Sequence, residues 1–96
     1  MAGMENLVIV HQPQASRFET WIDGQVALCG YRLQGQLLIL HHTEVPHAFE
    51  GQGIAAALVK TTLNWAREQG FKVRPSCSYV AAYMQRHPET QDLLAA

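Results

Sequence analysis

Three groups of residues in this chain can do chemistry. Gly51 and Gly53 precede Ile54 and three alanines, Ala55, Ala56 and Ala57, at the mouth of a strongly helical segment. A helix N-terminus leaves backbone N–H groups unpaired and carries partial positive charge, and small residues let an anion close on those donors. The same glycines also suit a plain helix start, so on their own they leave both readings open. Cys77 follows Pro75-Ser76 and begins a second helical stretch. There the helix dipole lowers a thiol's pKa from about 8.5 and favours the thiolate, a nucleophile for acyl groups. A small buried cysteine packed in the core is the competing reading. Finally, an apolar run ends in His41, His42, Thr43, Glu44 and Val45. A histidine there can deprotonate an amine, directly or through water, or simply hydrogen-bond to backbone.

These groups need elements to hold them. In the first half, "LVIVH" is a short β-rich run ended by Pro13, and "RFETWID" alternates, with Phe18, Thr20 and Ile22 on one face. Asp23-Gly24 is a two-residue hairpin signal, and "QVALCGYRLQ" follows as a longer strand in which Gly30 marks a bulge or a close backbone approach. After the Gln34-Gly35 turn, "QLLILHHTEV" is apolar on both faces, as a central strand is. Strand alternation sends His41 and His42 to opposite faces. The period then changes. Residues 52–69 hold no proline, Ile54, Leu58 and Trp65 recur at helical spacing, and Gly70 ends the helix. "FKVRP" is a brief strand, Ser76 caps a second helix over "CSYVAAYMQRH", and "ETQDLLAA" adds a last helical turn. The expected order is ββββ-α-β-α in one α/β domain spanning residues 1–96. His11 and His47 read as loop residues and His87 as a helix end. Trp65 and Cys29 read as core, and Trp21 as a cross-strand contact.

Composition narrows the classes. A chain of 96 residues with 48% hydrophobic and 16% charged residues is globular. Its net charge of −1 and seven scattered basic residues give no field for a nucleic-acid backbone. No stretch reaches the roughly 20 apolar residues of a membrane span. "MAGMENLVIVHQ" lacks the basic segment of a signal peptide. A cytoplasmic protein with reduced thiols is therefore expected. Two cysteines and five histidines without close ligand spacing give no metal site.

The strand, the "EGQGIA" loop and the helix together resemble the signature region of the GNAT acetyltransferase superfamily. Members carry Arg/Gln-x-x-Gly-x-Gly/Ala at this point; Gly53 and Ala55 match its small positions, and Glu50 departs from the usual Arg or Gln. "HTEV", "GQGIA", "LV" and "RPSCSYVAAYMQRHPE" resemble the small branch named for a cysteine and a glycine motif. The resemblance runs from about Phe18 to Leu94 and implies a reduced GNAT core: a mixed, mainly antiparallel sheet, split near the two-histidine strand. It further implies that acetyl-CoA binds, with CoA as product. Gln52, Gly53, Ile54 and Ala55 would meet the pyrophosphate, with Gly51 opening the loop. His42, Thr43, Glu44 and Val45 would pair backbone with pantetheine. Cys77 would lie near the acetyl group, His42 would be the general base, and Tyr83 would protonate the leaving thiolate. Lys60 and Asn64 lie within reach of a nucleotide phosphate.

The expected function is N-acetyl transfer to an amine of a small molecule or peptide. Its rival is a CoA-binding module without turnover, favoured by Glu50 and by the lack of the N-terminal helices that shape the acceptor site in larger relatives. A bare interaction domain would leave "GQGIAAAL" without a reason. Acceptor identity and oligomeric state are not written in the sequence.

Overall fold

The computed structural model describes residues 7–96. Five strands, β1 (Val10–Gln12), β2 (Arg17–Ile22), β3 (Gln25–Gln34), β4 (Leu37–Glu44) and β5 (Lys72–Pro75), lie in one sheet in chain order. Helix α1 (Ile54–Gln69) connects β4 to β5, and α2 (Ser78–Arg86) follows β5. Short 3-10 turns occupy Pro13–Ala15, His47–Phe49 and Pro88–Leu93. The first four strands are antiparallel and β5 runs parallel to β4, as a strand–helix–strand crossover requires. The order ββββ-α-β-α and the mixed sheet are those expected from the sequence. No helix among the described residues is long and apolar enough to cross a membrane.

Local chemistry explains the joints. Asp23 and Gly24 both have positive φ (49° and 76°) between the paired residues Ile22 and Gln25, the turn whose twist suits a tight hairpin. The pleat then sends Phe18, Thr20, Ala27, Cys29, Tyr31, Leu38, Leu40 and Val73 to one face, where all are buried. Helix α1 covers that face with Ile54, Leu58, Thr62 and Ala66 in one row and Val59 and Leu63 in the next; α2 adds Val80 and Met84. Thr62 sits in this core because its hydroxyl donates to the Leu58 carbonyl at 2.8 Å.

Three details differ from the sequence expectation. β1 begins at Val10 rather than Leu7, and His11 belongs to it, not to a loop. Its ring stacks on Phe18 at 4.2 Å, meets Trp65 edge-on at 4.6 Å and holds the Tyr31 hydroxyl at 2.7 Å. The second helix is N-capped by Cys77, not Ser76. The third detail concerns the bulge expected at Gly30, which forms there but puts its extra residue in the partner strand β4. Gly30 pairs with His42 while its neighbour Tyr31 pairs with Leu40, so His41 is an extra residue in β4. A β-carbon at Gly30 would meet the His41 ring at 3.5 Å. The ring thus lies on the same side as His42, and the two histidines share the uncovered face instead of dividing between faces. The bulge also resets the pleat, so that Thr43 follows Leu40 onto the helix side, opposite Cys29.

Candidate active site

β4 outlasts β5. Their pairing ends at Leu40 with Pro75, and the next two amides, of Ser76 and Cys77, both turn back to the Leu40 carbonyl at 3.1 and 3.0 Å. Beyond this point the outer edge of β4, from His41 to Glu44, has no strand beside it among the described residues. Edge amides and carbonyls here are available to a ligand's amide groups. Cys77, the start of α2 and the mouth of α1 border the opening.

A cleft of about 350 Å³ lies against this edge, walled by Thr43 and Val45 from β4 and its continuation, by Phe49, Glu50, Gly51 and Gly53 from the loop, by Ile54 and Ala55 from α1, and by Tyr79 from α2. Gly51 and Gly53 both adopt left-handed backbone, φ 81° and 82°, which L side chains resist. Gly53 is the N-cap and has no side chain with which to cap. The first intrahelical bond runs from the Ala57 amide to the Gly53 carbonyl at 3.0 Å, so the amides of Ile54, Ala55 and Ala56 have no acceptor within the helix. No acidic residue occupies the first turn. These donors, with only small side chains around them, match the chemistry of a phosphate. Glu50 stands at the rim and pairs with His47 at 3.2 Å, and the cleft walls contain no lysine or arginine.

Thr43 links the cleft to the two thiols. Its hydroxyl lies 3.7 Å from the Cys77 sulfur. Burial pushes the Cys77 thiol up, but the backbone amides of Val80 and Tyr79, together with Thr43, outweigh burial and bring it below the usual value. Cys29 has the opposite balance. It is fully buried, and burial raises its thiol despite bonds from Thr62 and Thr43. Cys29 is core, as expected.

The expected site residues therefore come together in part. Thr43, Val45, Gly51, Gly53, Ile54 and Ala55 wall the cleft, and Cys77 touches it through Thr43. Gln52 sits in the loop without lining the cleft. His42 and Glu44 pair with each other at 3.0 Å on the uncovered face, opposite to that of Thr43. Tyr83 is not brought to the cleft. It is buried, stacks on His87 at 4.0 Å, and lines a second cleft of about 510 Å³ with Lys60, Asn64 and Arg67. Tyr79, one turn earlier on α2, is the tyrosine that lines the first cleft. The i and i+4 spacing of two tyrosines is a signal that was present, but only the start of α2 decides which one meets the cleft. Phe49 and Glu50 are further wall residues that loop composition does not reveal. No group of three metal-ligating side chains is assembled among the described residues.

Residues 17–93 match the family model described as GCN5-related N-acetyl-transferase. The chain is similar to Protein NATD1 of Mus musculus, 33% identical over 88 residues, covering 88% of this chain and 80% of that protein. It is 32% identical over 96 residues to Protein NATD1 of Xenopus tropicalis, covering 97% and 88%. The solution structure of a GCN5-like putative N-acetyltransferase from Staphylococcus aureus superposes with a TM-score of 0.76 at 27% identity, covering 97% of this chain and 92% of that one. The overall fold is thus shared, and the chain belongs to the GCN5-related N-acetyltransferase family.

Proposed function

We propose that this protein transfers an acetyl group from acetyl-CoA to an amine of a small molecule or peptide, in the cytoplasm, and releases CoA. The observation that carries the reading is the uncapped, glycine-framed N-terminus of α1, whose free amides face a cleft continuous with the unpaired edge of β4. Bound there, acetyl-CoA supplies an activated acyl group as a thioester.

The chain's own residues have separable tasks. The amides of Gly53, Ile54 and Ala55, with Gly51 and Gln52 shaping the loop, hold the pyrophosphate. The backbone of His42, Thr43, Glu44 and Val45 fixes the pantetheine arm and points an N–H at the acyl carbonyl oxygen, where charge develops. His42, oriented by Glu44, takes the proton from the attacking amine on the uncovered face. The amine nitrogen forms the new C–N bond as the C–S bond breaks, and the leaving sulfur receives a proton from the helix side. Tyr79 is placed for that donation in preference to Tyr83, and burial raises its hydroxyl pKa, keeping it protonated. Cys77 lies beside the acyl group, with Thr43 between its sulfur and the cleft.

A second reading, a CoA-binding module without turnover, is supported by Glu50, whose carboxylate stands at the rim of a cleft without a cation. Incubation with acetyl-CoA and a mixed amine panel separates the two. An enzyme releases CoA above background with at least one amine; a module binds CoA and releases none.

A further inference from the structure

The face of the sheet opposite the helices is ordered by charge. Going along β3 and β4 from the cleft end, its rows read Glu19–Leu28–Glu44, then Arg17–Gly30–His42, then Arg32–Ile39–Arg74. Most of its ionic groups are already committed. Glu19, nearly buried, receives bonds from Arg17, Gln12 and Trp21 at 2.7, 3.2 and 3.4 Å. His42 holds Glu44. Arg32 and Arg74 are different. Both are exposed, they flank Ile39 from the strands on either side, and neither forms an ion pair among the described residues. Strands β3 and β5, one on each side of β4, have backbones two strand spacings or roughly 10 Å apart, close enough for both guanidinium groups to converge on one anion over Ile39. Between this pair and His42 the pleat advances by only one row, roughly 7 Å. Gly30 has no side chain, and the His41 ring lies over it, 3.5 Å from where its β-carbon would stand, so that ring forms the floor between the two ends.

We propose that this face is the acceptor site and that it selects amines bearing a carboxylate or phosphate at the far end of a short chain. The inference rests on the acetyl-transfer reading. The acceptor nitrogen sits at His42 and Glu44, beside the opening where β4 leaves β5. Its anionic tail crosses the His41 ring to Arg32 and Arg74, with the connecting methylenes on that ring and on Ile39. Charge complementarity decides the orientation: the carboxylate of Glu44 repels the tail and the arginines repel an ammonium group. Neutral-tailed amines lack half of the contacts.

The test is an NMR titration of the isotopically labelled full chain with hexylamine, 6-aminohexanoate and 6-aminohexyl phosphate. The two anionic amines are expected to bind at least about five-fold more tightly than hexylamine, as one or two exposed charge pairs allow. They should shift the amides of Arg32, Ile39, His42 and Arg74. In the R32Q/R74Q variant the preference should vanish, and R32K/R74K should restore part of it. A preference for phosphate over carboxylate would identify the tail as a phosphate. Equal binding of all three amines by the native protein overturns the proposal. So does a preference that survives R32Q/R74Q, or an equal loss of all three amines in that variant. The titration needs no CoA. Absence of CoA binding, read by a thermal scan of the same sample, fails the acetyl-donor reading, while the amine comparison still decides this one.

Discussion

The two ends of α1 are built from the same kinds of residue and do opposite things. At the C-terminal end Gly70 takes the left-handed conformation, and its amide reaches the carbonyls of Ala66 and Arg67. The Phe71 amide adds a bond to Ala66 at 2.9 Å. Arg67 grips Asp92 with two bonds, at 2.6 and 3.0 Å, and the aromatic cluster of Trp65, Phe71, Phe18, Tyr31 and His11 packs alongside. Every cap that a helix end wants is present. At the N-terminal end Gly53 is also left-handed, but no side chain caps the helix and no acid complements its dipole. An N-cap serine or aspartate in place of glycine is ordinarily as good or better for a helix. Leaving it out costs stability unless a ligand completes the end. One end of the helix therefore secures the fold, and the other is left open, which the proposed function assigns to an anion.

The strongest way to break this contrast is to fill the open end. Ala55→Glu places a carboxylate in the first helical turn, where the dipole favours it, so the fold should hold. The same carboxylate would occupy and repel the phosphate site. CoA affinity is expected to fall by about 100-fold or more, and a CoA-dependent rise in melting temperature should disappear. For the parent, CoA at about 100 times its dissociation constant should add about 2.7 kcal/mol. Retention of parental CoA affinity in Ala55→Glu would place the phosphates elsewhere and remove the distinction between the ends.

A second contrast lies behind the cleft wall, at Thr43. Cys77 and Cys29 both contact Thr43, yet their thiols are shifted in opposite directions. Iodoacetamide at neutral pH should alkylate Cys77 at least about ten-fold faster than Cys29, because thiolate fraction and exposure favour the same residue. Bound CoA should slow the reaction at Cys77. Alkylation of Cys77 that is slow and indifferent to CoA would separate its sulfur from the acyl site, without bearing on the helix mouth.

Glycine replacement compares the two ends directly. Gly70 and Gly51 have nearly the same φ, 77° and 81°, and a β-carbon at either meets nothing within 4 Å. Alanine at each should cost about 1 kcal/mol through backbone strain alone, a fall of roughly 4–8 °C in Tm for a domain of this size. Gly70→Ala should leave CoA affinity unchanged, whereas Gly51→Ala should weaken it, because the strained loop no longer presents the amides. Equal CoA affinities in the two variants would mean that the Gly51 conformation serves only the fold.

What could be read in the sequence follows the range of the interactions. The Asp23-Gly24 turn, the alternating "RFETWID" strand and the Gly70 stop are local, and each formed where its residues indicate. The family motif likewise lies in one continuous segment, so the cleft walls at Gly51, Gly53, Ile54 and Ala55 were legible. The strand that carries the bulge was not. His41 becomes the extra residue through the register of β4 against β3, and nothing within "LLILHHTEV" announces it. The same holds for Tyr79 over Tyr83, which depends on how α2 seats against the cleft. His11 is the clearest case. Its environment is assembled from Phe18, Tyr31 and Trp65, and a place at the end of a short run before Pro13 gives no hint of that company.

That histidine supplies the smallest and most specific test of the closed end. Burial lowers the His11 pKa below 6.5, since a charged imidazole would lose solvent between Phe18 and Trp65. A group whose folded pKa is depressed binds its proton more readily when unfolded. Its contribution to stability is therefore complete above the unfolded value near 6.5 and is lost as pH falls through the folded value. The Tyr31 hydroxyl, 2.7 Å from Nε2, remains protonated throughout this window because burial raises its pKa. Denaturant unfolding between pH 7.5 and pH 5 should show stability declining on the acid side. In His11→Gln part of that slope should be missing, even if the variant is less stable at every pH. His42, exposed at the open end, is the control: His42→Gln should leave the His11 share of the slope in place. The effect should be small because the His11 ring is only part-buried and its Nε2 already has a hydroxyl partner. An identical slope in the parent and in His11→Gln would show that the ring accepts a proton without leaving the stack, and the closed end would then be looser than its contacts imply.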